Sequence, residues 1–241
     1  MRTISWFSCG AASAVATKLS QPNVIAYCET GAEHPDNKRF MLDCQEWFAQ
    51  EITILENPKY ADTWAVWEKR KYISGIAGAP CTSELKVAPR LEFQRDDDIH
   101  IFGYTADGSD VTRAEALVEN WPELTCQFPL IERGLTKAAC LAMVSTAGIK
   151  PPIVYSLGFP NANCIPCCKA TSPAYWALIR KYFPEEFDRM VELSHRLGAR
   201  LARVNGERVF IDEVPQEQPV TEAIAPECDL LCAMAEQEFR A

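Results

Sequence analysis

The sequence has few positive charges and no long apolar run. Its 24 Lys and Arg residues are outnumbered by 33 Asp and Glu residues, which gives a formal net charge of −9 at pH 7. A broad nucleic-acid interface needs clustered Lys and Arg, so this balance argues against one, whereas a small anionic nucleotide in a local pocket stays compatible. No apolar stretch approaches the ~18 residues that a membrane span requires, and the N-terminus lacks the basic segment of a signal peptide. We therefore expect a cytoplasmic protein with no membrane partner.

Strand-like and helix-like segments alternate from residue 3 to residue 147. The candidate strands cover residues 3–7, 23–27, 52–55, 99–102 and 125–129. The candidate helices cover residues 13–19, 35–50, 64–72, 109–120 and 136–147. This alternation predicts an α/β fold in which a twisted parallel sheet carries helices on both faces.

A Pro-Pro pair at residues 151–152 marks a boundary in the chain. We expect residues 1–149 to form the α/β core and residues 150–241 to form a C-terminal cap wrapped onto it, not an independent domain. The cap is predicted to contain a long helix or a helix pair over residues 173–197. A β-hairpin is expected after it, because Asn205-Gly206 is a strong signal for a type I′ turn.

The segment after the first strand has the composition of a phosphate-binding loop. It reads Ser8-Cys9-Gly10-Ala11-Ala12-Ser13 and leads directly into the first helix. Serine hydroxyls can donate to phosphate oxygens, glycine lets backbone N–H groups approach a ligand closely, and the N-terminal end of a helix attracts anions. No Gly-Lys-Ser/Thr follows, so the loop is not of the Walker A type. Ligands of parallel sheets bind beyond the carboxyl ends of the strands, where this loop is expected to lie.

Cysteine is abundant, with 11 residues in 241. Cys164-Ile-Pro-Cys167-Cys168 contains a C-x-x-C motif with a third thiol attached, Cys228-Asp-Leu-Leu-Cys232 is a C-x-x-x-C motif, and Cys81 stands in a loop marked by Gly and Pro. In a cytosolic chain such cysteines more often bind a metal than form disulfides. Because all-thiolate sites favour an iron–sulfur cluster or zinc, Cys81, Cys164 and Cys167 are assigned to a metal centre.

Four segments together resemble the phosphoadenosine phosphosulfate (PAPS) reductase family of adenine nucleotide alpha-hydrolase-like (PP-loop) proteins and its phage and bacterial relatives. Residues 8–13 resemble the family's Ser-Gly-Gly-x-x-Ser loop, and residues 28–35 resemble its Asp-Thr-Gly-x-x-x-Pro element. Residues 81–89 resemble the cysteine–lysine–proline segment beside the substrate, and residues 103–113 resemble the Gly-x-Arg-x-x-x-Ser-x-x-Arg loop that contacts phosphate. The segment from Asn163 to Lys181 is similar to phage-type members in particular.

The resemblance implies that the core binds an adenine nucleotide, which is PAPS, adenylylsulfate (APS) or ATP. The residues that it assigns to nucleotide binding are Ser8, Cys9, Gly10, Ala11, Ala12, Ser13, Thr30, Gly31, Glu33, Lys86, Gly103 and Arg113. It also implies a [4Fe–4S] cluster, for which we expect Cys81, Cys164 and Cys167 as ligands. The C-x-x-x-C spacing favours Cys232 as the fourth ligand. Cys228 or Cys168 as the fourth ligand, and a closed zinc site in place of the cluster, stay as alternatives.

The first functional hypothesis is an oxidoreductase that reduces PAPS or APS to sulfite. Glu227-Cys228-Asp-Leu-Leu resembles the segment whose mobile cysteine attacks the sulfonyl group, which implies Cys228 as the catalytic nucleophile and a thioredoxin-like reductant as partner. One alternative is an ATP-dependent sulfurtransferase that thiolates a nucleobase or the DNA backbone, with Mg²⁺ on Glu29 and Glu33. Another is a non-enzymatic regulatory module that binds a nucleotide and a cluster. Nucleic acid would contact the locally basic part of the cap, at Arg180, Lys181, Arg189, Arg196, Arg200 and Arg203.

Overall fold

The computed structural model describes residues 1–75 and 78–215. Its main sheet has five strands in the order β3-β2-β1-β4-β5, and every neighbouring pair is parallel. The strands are β1 Thr3–Phe7, β2 Val24–Cys28, β3 Ile52–Leu55, β4 Ile99–Ile101 and β5 Thr125–Gln127. The predicted α/β fold with a parallel sheet is confirmed, and its strand order is Rossmann-like.

Helices connect and flank these strands. Those of the core are α1 Ala11–Ser20, α2 Asp36–Phe48, α3 Thr63–Arg70, α4 Pro80–Thr82, α5 Ala88–Phe93, α6 Gly108–Asn120, α7 Pro129–Glu132 and α8 Lys137–Thr146. The cap contains α9 Ile153–Ser156, α10 Pro173–Tyr182, α11 Pro184–Leu197, the hairpin of β6 Ala202–Val204 and β7 Glu207–Val209, and a 3-10 turn at Ile211–Glu213. The predicted helix pair is therefore present, and it divides at Pro184, which begins α11.

Cys81 lies in a helix and not in the loop that its Gly and Pro neighbours predict. The short helix α4, a π-helical segment Ser83–Val87 and α5 follow one another without a break. Pro80 occupies the first helical position, where its missing N–H is not needed. The wider π-helical segment ends just before Pro89, a residue that has no N–H for an α-helical hydrogen bond.

The two faces of the sheet carry different side chains because successive residues of a strand alternate. Ser5 faces α1, since its hydroxyl lies 2.7 Å from the hydroxyl of Thr17. Trp6, one residue later, faces the opposite side, where its indole N–H donates to Nδ1 of His100 at 3.0 Å. The helical stretch over residues 80–93 lies against this second face, and a cavity remains between them.

The cap and the core share one hydrophobic cluster in the described part of the chain, with Phe7 and Trp67 from the core and Phe159 and Trp176 from the cap. Polar contacts add to this packing at α2. Arg39 donates to the carbonyl oxygens of Lys150 and Pro151, and Asp36 accepts the N–H of Ile153 at 2.7 Å. The described part of the cap is thus packed onto the core. Among the helices that the structure describes, none combines the length and the apolar character needed to cross a membrane.

Candidate functional site

A cavity of about 360 Å³ opens at the carboxyl ends of β1 and β4. The chain runs from β1 outward to β2 and β3, and then returns to β4 on the other side of β1. Such a reversal of strand order leaves a crevice beyond the strand ends, which is where open α/β sheets bind ligands. The crevice lies beside the loop of residues 8–13, as the sequence predicts.

The loop presents backbone N–H groups to this cavity. Gly10 is the N-cap residue of α1 and has no side chain that could accept a helix N–H. The backbone N–H groups of Ala12 and Ser13 have no hydrogen-bond partner among the residues that the structure describes. The Ser13 hydroxyl instead supports the loop, since it accepts the N–H of Ser8 at 3.1 Å and donates to the Gly10 carbonyl at 2.9 Å. Free N–H groups at a helix N-terminus are a ready site for an anion.

Two glycines stand where a neighbouring segment of backbone comes too close for a side chain. A methyl group on Gly103 would lie 2.5 Å from Cα and 2.7 Å from the backbone nitrogen of Ser13, so the segment after β4 touches the first turn of α1. Gly31 has a φ of +65°, and a methyl group there would overlap the backbone of Ala61 and Asp62. Cys9, with a φ of +53°, stands in the left-handed region without being a glycine.

Four cationic side chains line the cavity: Lys86, Arg90, Arg113 and Lys137. Two of them have partners, because Arg113 donates to Asp110 at 2.8 Å and Lys137 donates to Asn161 Oδ1 at 2.7 Å. The Lys86 ammonium makes no hydrogen bond to residues in the described ranges. Burial lowers its pKa, but the opposite effect of Cys164, Glu33 and other nearby acidic groups is larger, so the pKa of Lys86 is raised.

Arg90 is the most enclosed of these cations, with 7% of its surface exposed. Its guanidinium carbon lies 4.4 Å from the centre of the Trp121 ring, and its Nε and Nη2 have no hydrogen-bond partner among the described residues. Burial lowers the pKa of Arg90. A guanidinium stays charged even so, and a buried charge that lacks hydrogen bonds favours an acceptor beside it.

Aromatic rings form the apolar wall of the cavity. Trp6, Phe102 and Tyr104 all line it. The Phe102 ring stacks with Tyr104 at 6.1 Å between centroids and lies 6.4 Å from His100. Flat apolar faces next to a cationic region suit a ligand that combines an aromatic ring with an anionic group.

Glu33 brings a carboxylate into the same cavity. It accepts hydrogen bonds from Tyr27 at 3.1 Å and from Asn37 at 2.9 Å. Burial raises its pKa, while Lys86 and these two donors oppose the rise. Glu29, the other acidic residue proposed for Mg²⁺, turns back on its own loop and accepts the N–H groups of Thr30 and Gly31.

A second cavity, of about 670 Å³, adjoins the first. It is lined by four cysteines, Cys81, Cys164, Cys167 and Cys168. The sulfur atoms of Cys81 and Cys168 are 3.7 Å apart, and the Cys164 thiol donates to the Thr30 hydroxyl at 3.2 Å. Tyr175 fixes the cysteine loop, because its hydroxyl accepts the N–H of Cys167 at 2.5 Å.

The pKa values of these thiols are shifted in different directions. A hydrogen bond from Cys168, together with Trp67 and two lysines, outweighs burial and lowers the pKa of Cys81. The pKa of Cys168 is raised by the same contact and by burial, so Cys81 is the more acidic thiol of the pair. Burial raises the pKa of Cys164 to about 12.

The donor set of the second cavity is of the kind that iron–sulfur clusters and zinc prefer, since it consists of thiols. Three of these cysteines are the predicted ligands, and Cys168 is a fourth thiol at the same cavity. In residues 1–75 and 78–215, no three His, Cys, Asp or Glu side chains are grouped closely enough to hold one metal ion. Cys228 and Cys232, the predicted nucleophile and fourth ligand, lie outside the described residues.

The predicted nucleotide-binding residues fall into two sets. The first cavity is lined by Ser8, Gly10, Ala12, Ser13, Glu33, Lys86, Gly103 and Arg113. The others are turned elsewhere: Cys9 and Ala11 are buried in the core, Thr30 lines the second cavity, and Gly31 shapes its turn. Several lining residues were not expected from the sequence, namely Trp6, Tyr27, Arg90, Phe102, Tyr104, Lys137, Tyr155 and Asn161.

Several basic residues of the cap make contacts within the protein. The Arg189 guanidinium lies 4.1 Å from the centre of the Trp64 ring, Arg196 pairs with Glu68, and Arg180 donates to the carbonyl oxygens of Ile211 and Val214. The predicted basic face therefore joins α10 and α11 to α3 and to the 3-10 turn.

No family model and no curated protein sequence matches this chain.

Proposed function

We propose that this protein is an oxidoreductase that binds an adenine nucleotide in the first cavity and reduces a sulfonucleotide, PAPS or APS, to sulfite. The observation that carries the proposal is the continuity of the two cavities. They share the lining residues Thr82, Lys86, Tyr104, Arg113, Asn161 and Asn163. An anionic group held beside the loop of residues 8–13 would therefore face the cysteine-lined cavity.

The residues of the first cavity have separate roles in this proposal. Trp6, Phe102 and Tyr104 would pack against the purine ring, and the N–H groups of Ala12 and Ser13 would bind phosphate oxygens. Lys86 stands at the junction of the cavities and would hold the sulfonyl end of the ligand. Its raised pKa keeps the ammonium charged at neutral pH.

The proposed reaction has two steps. The Cys228 thiolate forms a bond to the sulfonyl sulfur, and the sulfur–oxygen bond to the nucleotide phosphate breaks, so that the electron pair leaves with the nucleotide. A dithiol of the thioredoxin type then attacks Sγ of Cys228, which releases sulfite and leaves a mixed disulfide. The second thiol of the reductant resolves that disulfide and regenerates the free cysteine.

Cys81, Cys164, Cys167 and either Cys232 or Cys168 would hold a [4Fe–4S] cluster at the second cavity. When bound, the cluster would supply a redox-active iron–sulfur centre at the cavity that these thiols line. The nine cysteines of the described residues are all free thiols. We propose the cytoplasm as the compartment, because thiols stay reduced there.

The test is sulfite release by protein purified without oxygen. PAPS and APS are supplied separately with a dithiol reductant, and iron and sulfide are measured on the same samples. The expected result is sulfite release that needs the reductant and one of the two sulfonucleotides, and that is lost in Cys228→Ser while the iron content is unchanged. Cys140→Ser is the matched control, because Cys140 is a buried thiol of α8 that lines neither cavity.

Two other results would replace the proposal. Release of pyrophosphate from ATP, when Mg²⁺ and nucleic acid are both present, would identify a sulfurtransferase. Stabilisation by nucleotides without any turnover would identify a binding module, because a ligand that binds the folded state raises the unfolding temperature.

A further inference from the structure

The cap places a tyrosine hydroxyl in the phosphate loop. Tyr155 belongs to α9, yet its hydroxyl oxygen accepts the N–H of Ala11, the first residue of α1, at 3.3 Å. A methyl group on Gly10 would lie 3.3 Å from the same oxygen. The residue is 8% exposed, and what remains accessible lines the first cavity. No sequence motif predicts this contact, which joins two residues that are 144 positions apart.

The hydrogen-bonding capacity of this hydroxyl is only partly used. Burial raises the pKa of Tyr155 to about 12, and the backbone N–H groups of Ala11 and Ala162 oppose the rise. The group therefore keeps its proton at neutral pH, and its oxygen already receives the N–H of Ala11. Its O–H finds no acceptor among the residues that the structure describes. An enclosed donor without a partner is unfavourable, so an acceptor is expected in the cavity.

We infer that Tyr155 is a phosphate-binding residue contributed by the cap, and that its O–H donates to the anionic oxygen bound at the N-terminus of α1. Three donors then converge on one group: the N–H groups of Ala12 and Ser13 from the core and the hydroxyl from the cap. The inference rests on the proposed function in one respect, namely that a phosphate-bearing nucleotide occupies the first cavity. It does not depend on the reaction that follows.

The test compares AMP with adenosine, which differ in the phosphate alone. Their dissociation constants are measured by isothermal titration calorimetry for the wild type, Tyr155→Phe and Tyr175→Phe. The control is closely matched, because the Tyr175 hydroxyl is also buried and also accepts a backbone N–H, but at the second cavity. A hydrogen bond to a charged group predicts that Tyr155→Phe weakens AMP binding about 10-fold or more and leaves adenosine binding unchanged. Tyr175→Phe is expected to leave the ratio of the two constants as in the wild type.

The outcomes separate this inference from the proposed reaction. If the wild type prefers AMP and Tyr155→Phe keeps that preference or increases it, the hydroxyl does not bind the phosphate and the inference is wrong. If Tyr155→Phe loses the preference but PAPS and APS yield no sulfite, the inference stands and the proposed reaction is wrong.

A second measurement needs no variant. In hydrogen exchange of the wild type, AMP but not adenosine should slow exchange of the amides in Ile153–Ser156, because the phosphate links α9 to the core. Equal protection by the two ligands would overturn the inference.

Discussion

Replacing Gly103 by alanine tests the close approach on which the first cavity depends. The added methyl group would lie 2.5 Å from Cα of Ser13, 2.7 Å from its nitrogen and 3.0 Å from the carbonyl carbon of Ala12. All three atoms are backbone, so no side chain can rotate away, and the strand end or the first turn of α1 must move. Overpacking of this kind costs about 1–3 kcal/mol. In a chain of this size, about 2–4 °C of unfolding temperature is lost per kcal/mol, so we expect a decrease of roughly 2–12 °C.

The matched control is Gly108→Ala, five residues further along. Gly108 is the first residue of α6, and a methyl group there meets no atom within 4 Å. It should leave stability unchanged or raise it by up to about 1 kcal/mol, because alanine favours the helix. Thermal unfolding followed by circular dichroism measures both variants, and titration with AMP reports whether the N–H groups of α1 have moved. A Gly103→Ala protein as stable as Gly108→Ala would refute the described contact.

Three further predictions concern charge and backbone conformation. Lys86→Met should raise the dissociation constant of APS about tenfold, while Lys38→Met, on the exposed side of α2, should not; calorimetry with APS measures both constants. Hydrogen bonds from Arg39 lower the pKa of Asp36 to about 2 from its usual 3.8, so the stability that Asp36 adds is complete above pH 5 and is lost as pH falls from about 4 to 2. Urea unfolding of wild type and Asp36→Asn should therefore converge over that range, and a constant difference would contradict the assignment. Cys9→Gly should stay within about 1 kcal/mol of wild type in the same assay, because relief of the left-handed conformation offsets lost packing, whereas Cys9→Val should be clearly less stable.

The core of the fold could be predicted because its signals are local. Each of the five strands lies within a predicted segment or differs from it by one or two residues at its ends. The apolar runs and the small-residue loop after the first strand are contiguous in the chain, so periodicity and turn chemistry identify them. The type I′ turn at Asn205-Gly206 is another local signal, and both of its residues have positive φ in the structure, at 49° and 88°.

The site was less predictable because its parts come from distant segments. The loop of residues 8–13 was found from its composition, yet Tyr155 and Arg90 reach the same cavity from a four-residue helix and from a six-residue helix whose second residue is a proline. Neither residue belongs to a spacing pattern, and a tyrosine or arginine in a short helix is ordinary on its own. The helical state of Cys81 was missed for a related reason. Prolines normally indicate a loop, but here they occupy helix starts, where the absent N–H costs nothing.

The whole chain is acidic, whereas four cationic side chains line the first cavity. The distance over which each charge acts decides which of them affects a bound nucleotide. The net charge of −9 belongs to the whole chain, and its effect is screened beyond about 8 Å at physiological ionic strength. Inside the first cavity, Asp110 already pairs with Arg113, and Glu33 already accepts hydrogen bonds from Tyr27 and Asn37. Lys86 and Arg90 therefore remain as cations that can pair with an anionic ligand. Within the cavity they act on it at short range and in a low dielectric. An acidic protein can thus hold an anionic ligand, provided that recognition takes place in one enclosed cavity and not over a surface.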